Sequence, residues 1–171
     1  VASRGLGDVY KRQFLSAGDN IGASTYASSS QQDNPTLEYL DALGLDASAV
    51  GNHEFDRGFD DIKSRDTNFE HLGANVVKKG TDEPAFPAYT TYDVNGIKVA
   101  VIGVVTKDTK ALVSPSGIKA IDFIDPVKAV NKAAQELEAS DEKPDITILE
   151  AHAGPSSAGS IEEATLSLIH I

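Results

Sequence analysis

The sequence predicts an α/β domain built of alternating strands and helices. Three observations carry this. Short apolar runs alternate with stretches of helical spacing along the chain. Val99–Val105 is apolar apart from Gly103, as expected of a central strand covered on both faces. Polar residues at Asp19, at Asn52-His53 and at His152 each follow a predicted strand. In α/β sheets, ligands gather beyond the carboxyl ends of strands.

Taken in order, Phe14–Ala17 reads as a strand entering a tight turn at Gly18-Asp19-Asn20. Ser28–Asn34 is polar and reads as loop. Asp33 or Asn34 is placed to cap a helix, with Pro35 in its first turn and Leu37, Leu40 and Leu43 along one face. Gly44 stops that helix. Ala47–Val50 is a second strand, which runs into Gly51-Asn52-His53-Glu54-Phe55-Asp56, and a helix starts near Gly58. Ala74–Val77 is a third strand. Asn95-Gly96 between Tyr89–Val94 and Ile97–Val105 is a strong hairpin signal, since both residues tolerate the positive φ that a type I′ turn requires. Asp125-Pro126 opens a helix with Val127, Val130, Ala134 and Leu137 on one side. Asp145–Leu149 is the last strand and delivers His152 to its carboxyl end.

The composition narrows the function. At 171 residues, 40% hydrophobic and 24% charged, the chain suits one globular domain and excludes a disordered or collagen-like chain. Lys and Arg number 15 against 26 Asp and Glu, a formal charge of -11, so a nucleic-acid polymer is not an expected partner. A phosphorylated substrate would need a local positive centre, which a bound cation supplies. The absence of cysteine excludes disulfides, thiolate metal sites and a cysteine nucleophile. No apolar run approaches the roughly 18 residues of a membrane-spanning helix.

The two ends read as foreign to the domain. Asp8–Gln13, DVYKRQ, can be encoded by GAT GTG TAT AAG AGA CAG, whose reverse complement translates as LSLIHI, the sequence of Leu166–Ile171. Residues 1–13 and 166–171 are therefore expected to be non-native, adapter-derived tails, which leaves 14–165 as the authentic, partial domain.

Single residues leave their roles open. Asp19 fits a turn as well as a metal-bridging carboxylate. Asn52 fits a helix-start residue, His53 a half-buried imidazole, His152 a loop histidine, and Asp56 a charge at a helix N-terminus. His71, in the polar stretch NFEHLG, is expected at the surface. The combination is more specific. Gly18-Asp19-Asn20 followed by Gly51-Asn52-His53-Glu54 and then a histidine after a strand resembles the calcineurin-like metallophosphoesterases. The longer string GNHEFDRG is similar to the branch of 5′-nucleotidases and 2′,3′-cyclic phosphodiesterases. FLSAGDNIGAS with DALGLDASAVGNHEFDRG resembles its secreted or cell-wall-associated bacterial members.

The resemblance implies an α/β/β/α sandwich with metals at strand ends. It implies two divalent cations of Zn or Mn type, with Asp19 bridging them and Asn52 and His152 holding the second. His53 would face the phosphate, and Asp56 would orient it, a role as well supported as the helix charge. Hydroxide held at the metals would attack phosphorus in line. The substrate would be a nucleotide or another small phosphoester, recognised with the help of a C-terminal domain, and the protein would act outside the cytoplasm. Alternatives are a 2′,3′-cyclic phosphodiesterase, a sugar-phosphate or pyrophosphate hydrolase, or a non-catalytic α/β binding domain. The family's D-x-H and G-H-x-H motifs do not occur in this sequence. Asp19, Asn52 and His152 would thus form half a site, with weak metal binding and weak or no catalysis by this chain, and retention of two ions would contradict this.

Overall fold

The computed structural model describes residues 13–141 and 143–154. Most of each expected tail, 1–12 and 166–171, lies outside them. Two three-stranded sheets face one another. In the first, β1 (Leu15–Ser16), β2 (Ala47–Ala49) and β3 (Glu70–Leu72) run parallel in that order. In the second, β5 (Tyr89–Val94) pairs antiparallel with β6 (Ile97–Val105), which pairs parallel with β8 (Ile146–His152). β4 (Val76–Lys78) and β7 (Ile121–Phe123) form an antiparallel pair.

Between the sheets, Ala47, Leu72 and Val101 are buried against Leu15, Tyr92 and Ile148. The layer is thin because Gly103 lies on Leu72. A Cβ at Gly103 would stand 2.5 Å from the Leu72 Cβ, so only glycine permits this approach. The alternating residues Ala100, Ile102 and Val104 turn outward and are covered by α5 (Pro126–Ala139) through Ala129, Val130, Ala133 and Leu137. The first sheet is covered by α2 (Asn34–Leu43) and α3 (Phe59–Ser64), with Leu37, Val50, Phe55 and Ile62 in the core. Phe55 meets Phe123 and Phe86 edge to face, at centroid distances of 5.3 and 6.1 Å. The layers are therefore helix, sheet, sheet, helix, as expected. Short helices α1 (Tyr26–Ser29) and α4 (Thr109–Leu112) complete the set.

Local chemistry explains most boundaries. Asn95 and Gly96 take φ of 56° and 84°, and the hairpin pairs Val94 with Ile97. Asp125 accepts from the Lys128 N–H at 3.0 Å and caps α5. The buried face of α5 is rotated from the expected one: Ala129 and Ala133 are buried, whereas Val127 and Ala134 are half-buried.

Other expectations are corrected. Asp33 stands at the N-cap position of α2, but its side chain makes no capping bond. It sits at φ 64°, nearly fully buried, and its carboxylate accepts from the Ser24 hydroxyl, from the Ser28 hydroxyl at 2.8 Å and from the Gly22 N–H at 3.3 Å. Part of the expected loop is helical, as α1. β3 was hidden by its polar residues, and His71 is not at the surface but paired with Ser48 of β2. β8 extends three residues beyond Leu149, so His152 ends the strand instead of following it. Leu43 is exposed, and Leu45 takes the buried place after Gly44.

Candidate active site

The first two strands of one sheet and the last strand of the other deliver their ends to one place. β1 stops at Ser16, and the chain turns through Gly18 at φ 96° and Asp19 at φ 57°. β2 runs into Gly51-Asn52, and a short 3-10 turn, His53–Phe55, follows. The two loops touch closely. A Cβ on Gly51 would overlap the Asp19 carboxylate, and one on Gly18 would lie 2.5 Å from the Gly51 nitrogen. The glycines before Asp19 and Asn52 are therefore steric necessities.

Glu54 holds these loops together. It is 1% exposed, and its Oε2 accepts from the Asp19 N–H at 2.8 Å and the Gly51 N–H at 2.6 Å, while Oε1 accepts from Asn20 N–H at 2.7 Å. Burial pushes its carboxyl pKa up, and the three amide donors pull against that shift. Beneath, the Asn20 side chain bridges the Ser16 and Ser48 hydroxyls, each at 2.7 Å.

The structure brings Asp19, Asn52 and His152 together. His152 Nε2 lies 3.2 Å from Asp19 Oδ2 and 3.1 Å from Asn52 Oδ1. Its Nδ1 lies 2.9 Å from the Ala17 carbonyl, which can only accept, so Nδ1 carries the proton. In the neutral ring the Nε2 lone pair then faces two oxygens. Asp19 Oδ1 accepts from the His53 N–H at 2.9 Å. The His53 ring turns the other way, with Nδ1 2.9 Å from Asp56 Oδ2. That hydrogen bond is the main cause of a raised His53 pKa. Both side chains are about one-third exposed, so the dyad is open to a ligand from solvent.

No protein-family model matches the sequence. The chain is 44% identical over 138 residues to endonuclease YhcR of Bacillus subtilis, covering 72% of this chain and 11% of that protein. It is 40% identical over 143 residues to a 5′-nucleotidase of Vibrio vulnificus, covering 82% of this chain and 26% of the relative. The solved structure of the calcineurin-like phosphoesterase YfkN from Bacillus subtilis superposes with a TM-score of 0.73 at 27% identity, over 91% of this chain and 53% of the other. This chain belongs to the 5′-nucleotidase family of metallophosphoesterases. It spans about a quarter of the length of the nucleotidase it matches.

Members of this metallophosphoesterase family are hydrolases that depend on metal ions. The donor set found here suits such an ion. One carboxylate oxygen, one amide oxygen and one imidazole nitrogen converge, and in the neutral, Nδ1-protonated ring the Nε2 lone pair joins the two oxygens as a donor to a cation. The Ala17 carbonyl orients the ring, a usual arrangement behind a metal-bound histidine. Among the described residues, no group of three or more His, Asp, Glu or Cys side chains converges, so the amide of Asn52 is needed to make the third donor.

Two acidic residues of the site region were not assigned by the sequence reading. The clamp role of Glu54 depends on burial that no local pattern shows. Glu150, 6% exposed, accepts from the Ala49 N–H at 2.8 Å, and its other oxygen is buried with no partner among the described residues. Burial pushes its pKa up to about 7, against the pull of that amide. The visible signal was a carboxylate inside the apolar run ITILEA.

Proposed function

We propose that this chain forms part of a metal-dependent phosphoesterase site acting on nucleotide phosphomonoesters, the 5′-nucleotidase reaction. The observation that carries the reading is the meeting of Asp19, Asn52 and His152 at the carboxyl ends of strands from two sheets. Asp19, Asn52 and His152 would hold the ion. When bound, a divalent cation supplies charge neutralisation of the phosphate and activation of water.

The chain's own residues do the rest. Asp19 presents Oδ2 to the shared site while Oδ1 fixes the His53 backbone. The neutral Asn52 amide leaves the site less negative than a carboxylate would, which favours an anionic substrate in a chain of charge -11. His53, whose charged form is favoured by the bond to Asp56, would stabilise a phosphate oxygen or give a proton to the leaving oxygen from Nε2. Asp56 holds the ring in register through Nδ1.

The 40% identity to a named 5′-nucleotidase favours the monoester as substrate. Action outside the cytoplasm is part of the same proposal and rests on the likeness of FLSAGDNIGAS and DALGLDASAVGNHEFDRG to exported members. Among the described residues, no helix is long and apolar enough to cross a membrane.

The test is Mn²⁺ binding, together with phosphate release from AMP and from 2′,3′-cAMP in the presence of Mn²⁺ or Zn²⁺. With three side-chain donors, weak binding of one ion and slow release of phosphate from AMP are expected, both lost in Asn52→Ala and His152→Ala. Variants that bind Mn²⁺ and turn over like the parent would refute the site.

A further inference from the structure

The metal-ligand set spans a seam between two sheets. Asp19 and Asn52 extend from β1 and β2, and His152 ends β8. The last register pair between β1 and β2 is Ser16 with Ser48, and the next would be Ala17 with Ala49. That pair does not form. Beyond Ser16 and Ser48, two side chains from β8 bind the backbone at the ends of these strands. The Ala17 carbonyl accepts from His152 Nδ1 at 2.9 Å, and the Ala49 N–H donates to Glu150 Oε2 at 2.8 Å. Glu150 and His152 are two apart on one strand and so share its inner face. A donor on β2 and an acceptor on β1 are thus each satisfied by the opposing sheet.

We propose that Glu150 is a positioning residue for the candidate metal site: by accepting the Ala49 N–H it ties β2 to β8 and sets the gap between Asn52 and His152. The inference rests on the reading of Asp19, Asn52 and His152 as ligands. Ala49 is fully buried, so without Glu150 its N–H has no water to turn to. Glu150 thus ties β2 to β8, and without it the two strands can shift against each other. Asn52 lies three residues beyond Ala49, and His152 two beyond Glu150, so a shift of β2 against β8 changes their separation directly. An acceptor oxygen at position 150 is what this role requires. Its charge is dispensable.

The test compares wild type, Glu150→Gln, Glu150→Val and His152→Ala by two measurements, with thermal unfolding to establish that each is folded. The first is the ¹⁵N NMR signature of the His152 ring in the metal-free protein. The second is Mn²⁺ affinity from electron paramagnetic resonance of the free ion. Glu150→Gln keeps an oxygen for the Ala49 N–H and is expected to retain the Nδ1-protonated ring and an affinity within about threefold. Glu150→Val is expected to mix the ring tautomers and weaken Mn²⁺ binding about tenfold or more. Should that variant not fold, Glu150→Thr replaces it, with the same expectation. A folded Val or Thr variant with the wild-type ring signature overturns the proposal, as does a Gln variant that loses as much affinity as Val. Equal Mn²⁺ affinity in wild type and His152→Ala would instead overturn the ligand assignment, and the ring signature would still judge Glu150.

Discussion

Replacing Glu54 by glutamine tests the loop clamp beneath the site. The carboxylate accepts three backbone N–H groups, two through Oε2 and one through Oε1. A glutamine has one oxygen. If that oxygen keeps the Asp19 and Gly51 amides, its NH₂ group faces the Asn20 N–H, donor against donor. If it turns to Asn20, two donors are left without an acceptor. A buried donor without a partner costs about 1–3 kcal/mol, and charge-assisted bonds lie at the upper end. At 1% exposure, water cannot compensate, so the loss should be about 2–4 kcal/mol. For a domain of this size, that corresponds to a fall in Tm of roughly 5–15 °C. Circular dichroism melts and urea midpoints for wild type and Glu54→Gln measure it directly. A Tm within 1 °C of wild type, with an unchanged urea midpoint, would show that the three amides do not depend on the carboxylate.

Other outcomes follow from the same geometry. Gly51→Ala should push the Asp19 loop away from Asn52, costing about 1–3 kcal/mol in urea unfolding and weakening Mn²⁺ binding, because its methyl group would overlap the Asp19 carboxylate. Burial and nearby Lys63 lower the pKa of His71 from 6.5 to about 4, so the folded state binds fewer protons than the unfolded state between those values. Stability from this group is full above pH 6.5 and is lost as pH falls to about 4, by about 2 kcal/mol after allowance for partial exposure. His71→Leu should flatten that part of the pH–stability curve, and an unchanged slope would contradict the assignment. His53→Ala should lower phosphate release by about 100-fold or more, while Asp56→Asn should cost no more than about tenfold, because an exposed ion pair is worth about 1 kcal/mol at most. Equal losses in the two variants would mean that Asp56 does more than orient the ring.

Much of this molecule was legible in the sequence because its signals are local. The Asn95-Gly96 turn, the Asp125 cap with Pro126 and the apolar run of β6 depend on residues within a few positions of one another. The Gly-Asp and Gly-Asn-His-Glu strings were legible for a related reason: their glycines record a steric demand of loops that touch. The rest depended on contacts between distant residues. β3 was missed because its burial comes from pairing with β2, not from its own composition. The Asp33 side chain does not cap because its partners, Gly22, Ser24 and Ser28, precede it along a path through α1 that spacing does not set.

By itself, the sequence determined the layer class, the hairpin, the helix that covers β6 and the residue types available for a phosphoester site. Only the tertiary structure decided which oxygens meet, that Glu54 is a clamp, and that Glu150 and His152 bind the backbone at the ends of two strands more than 100 residues earlier in the chain. Local propensity acts through a few backbone angles. A site of this kind forms where two sheets pack at a distance fixed by Gly103 against Leu72, and that distance is a property of the whole fold.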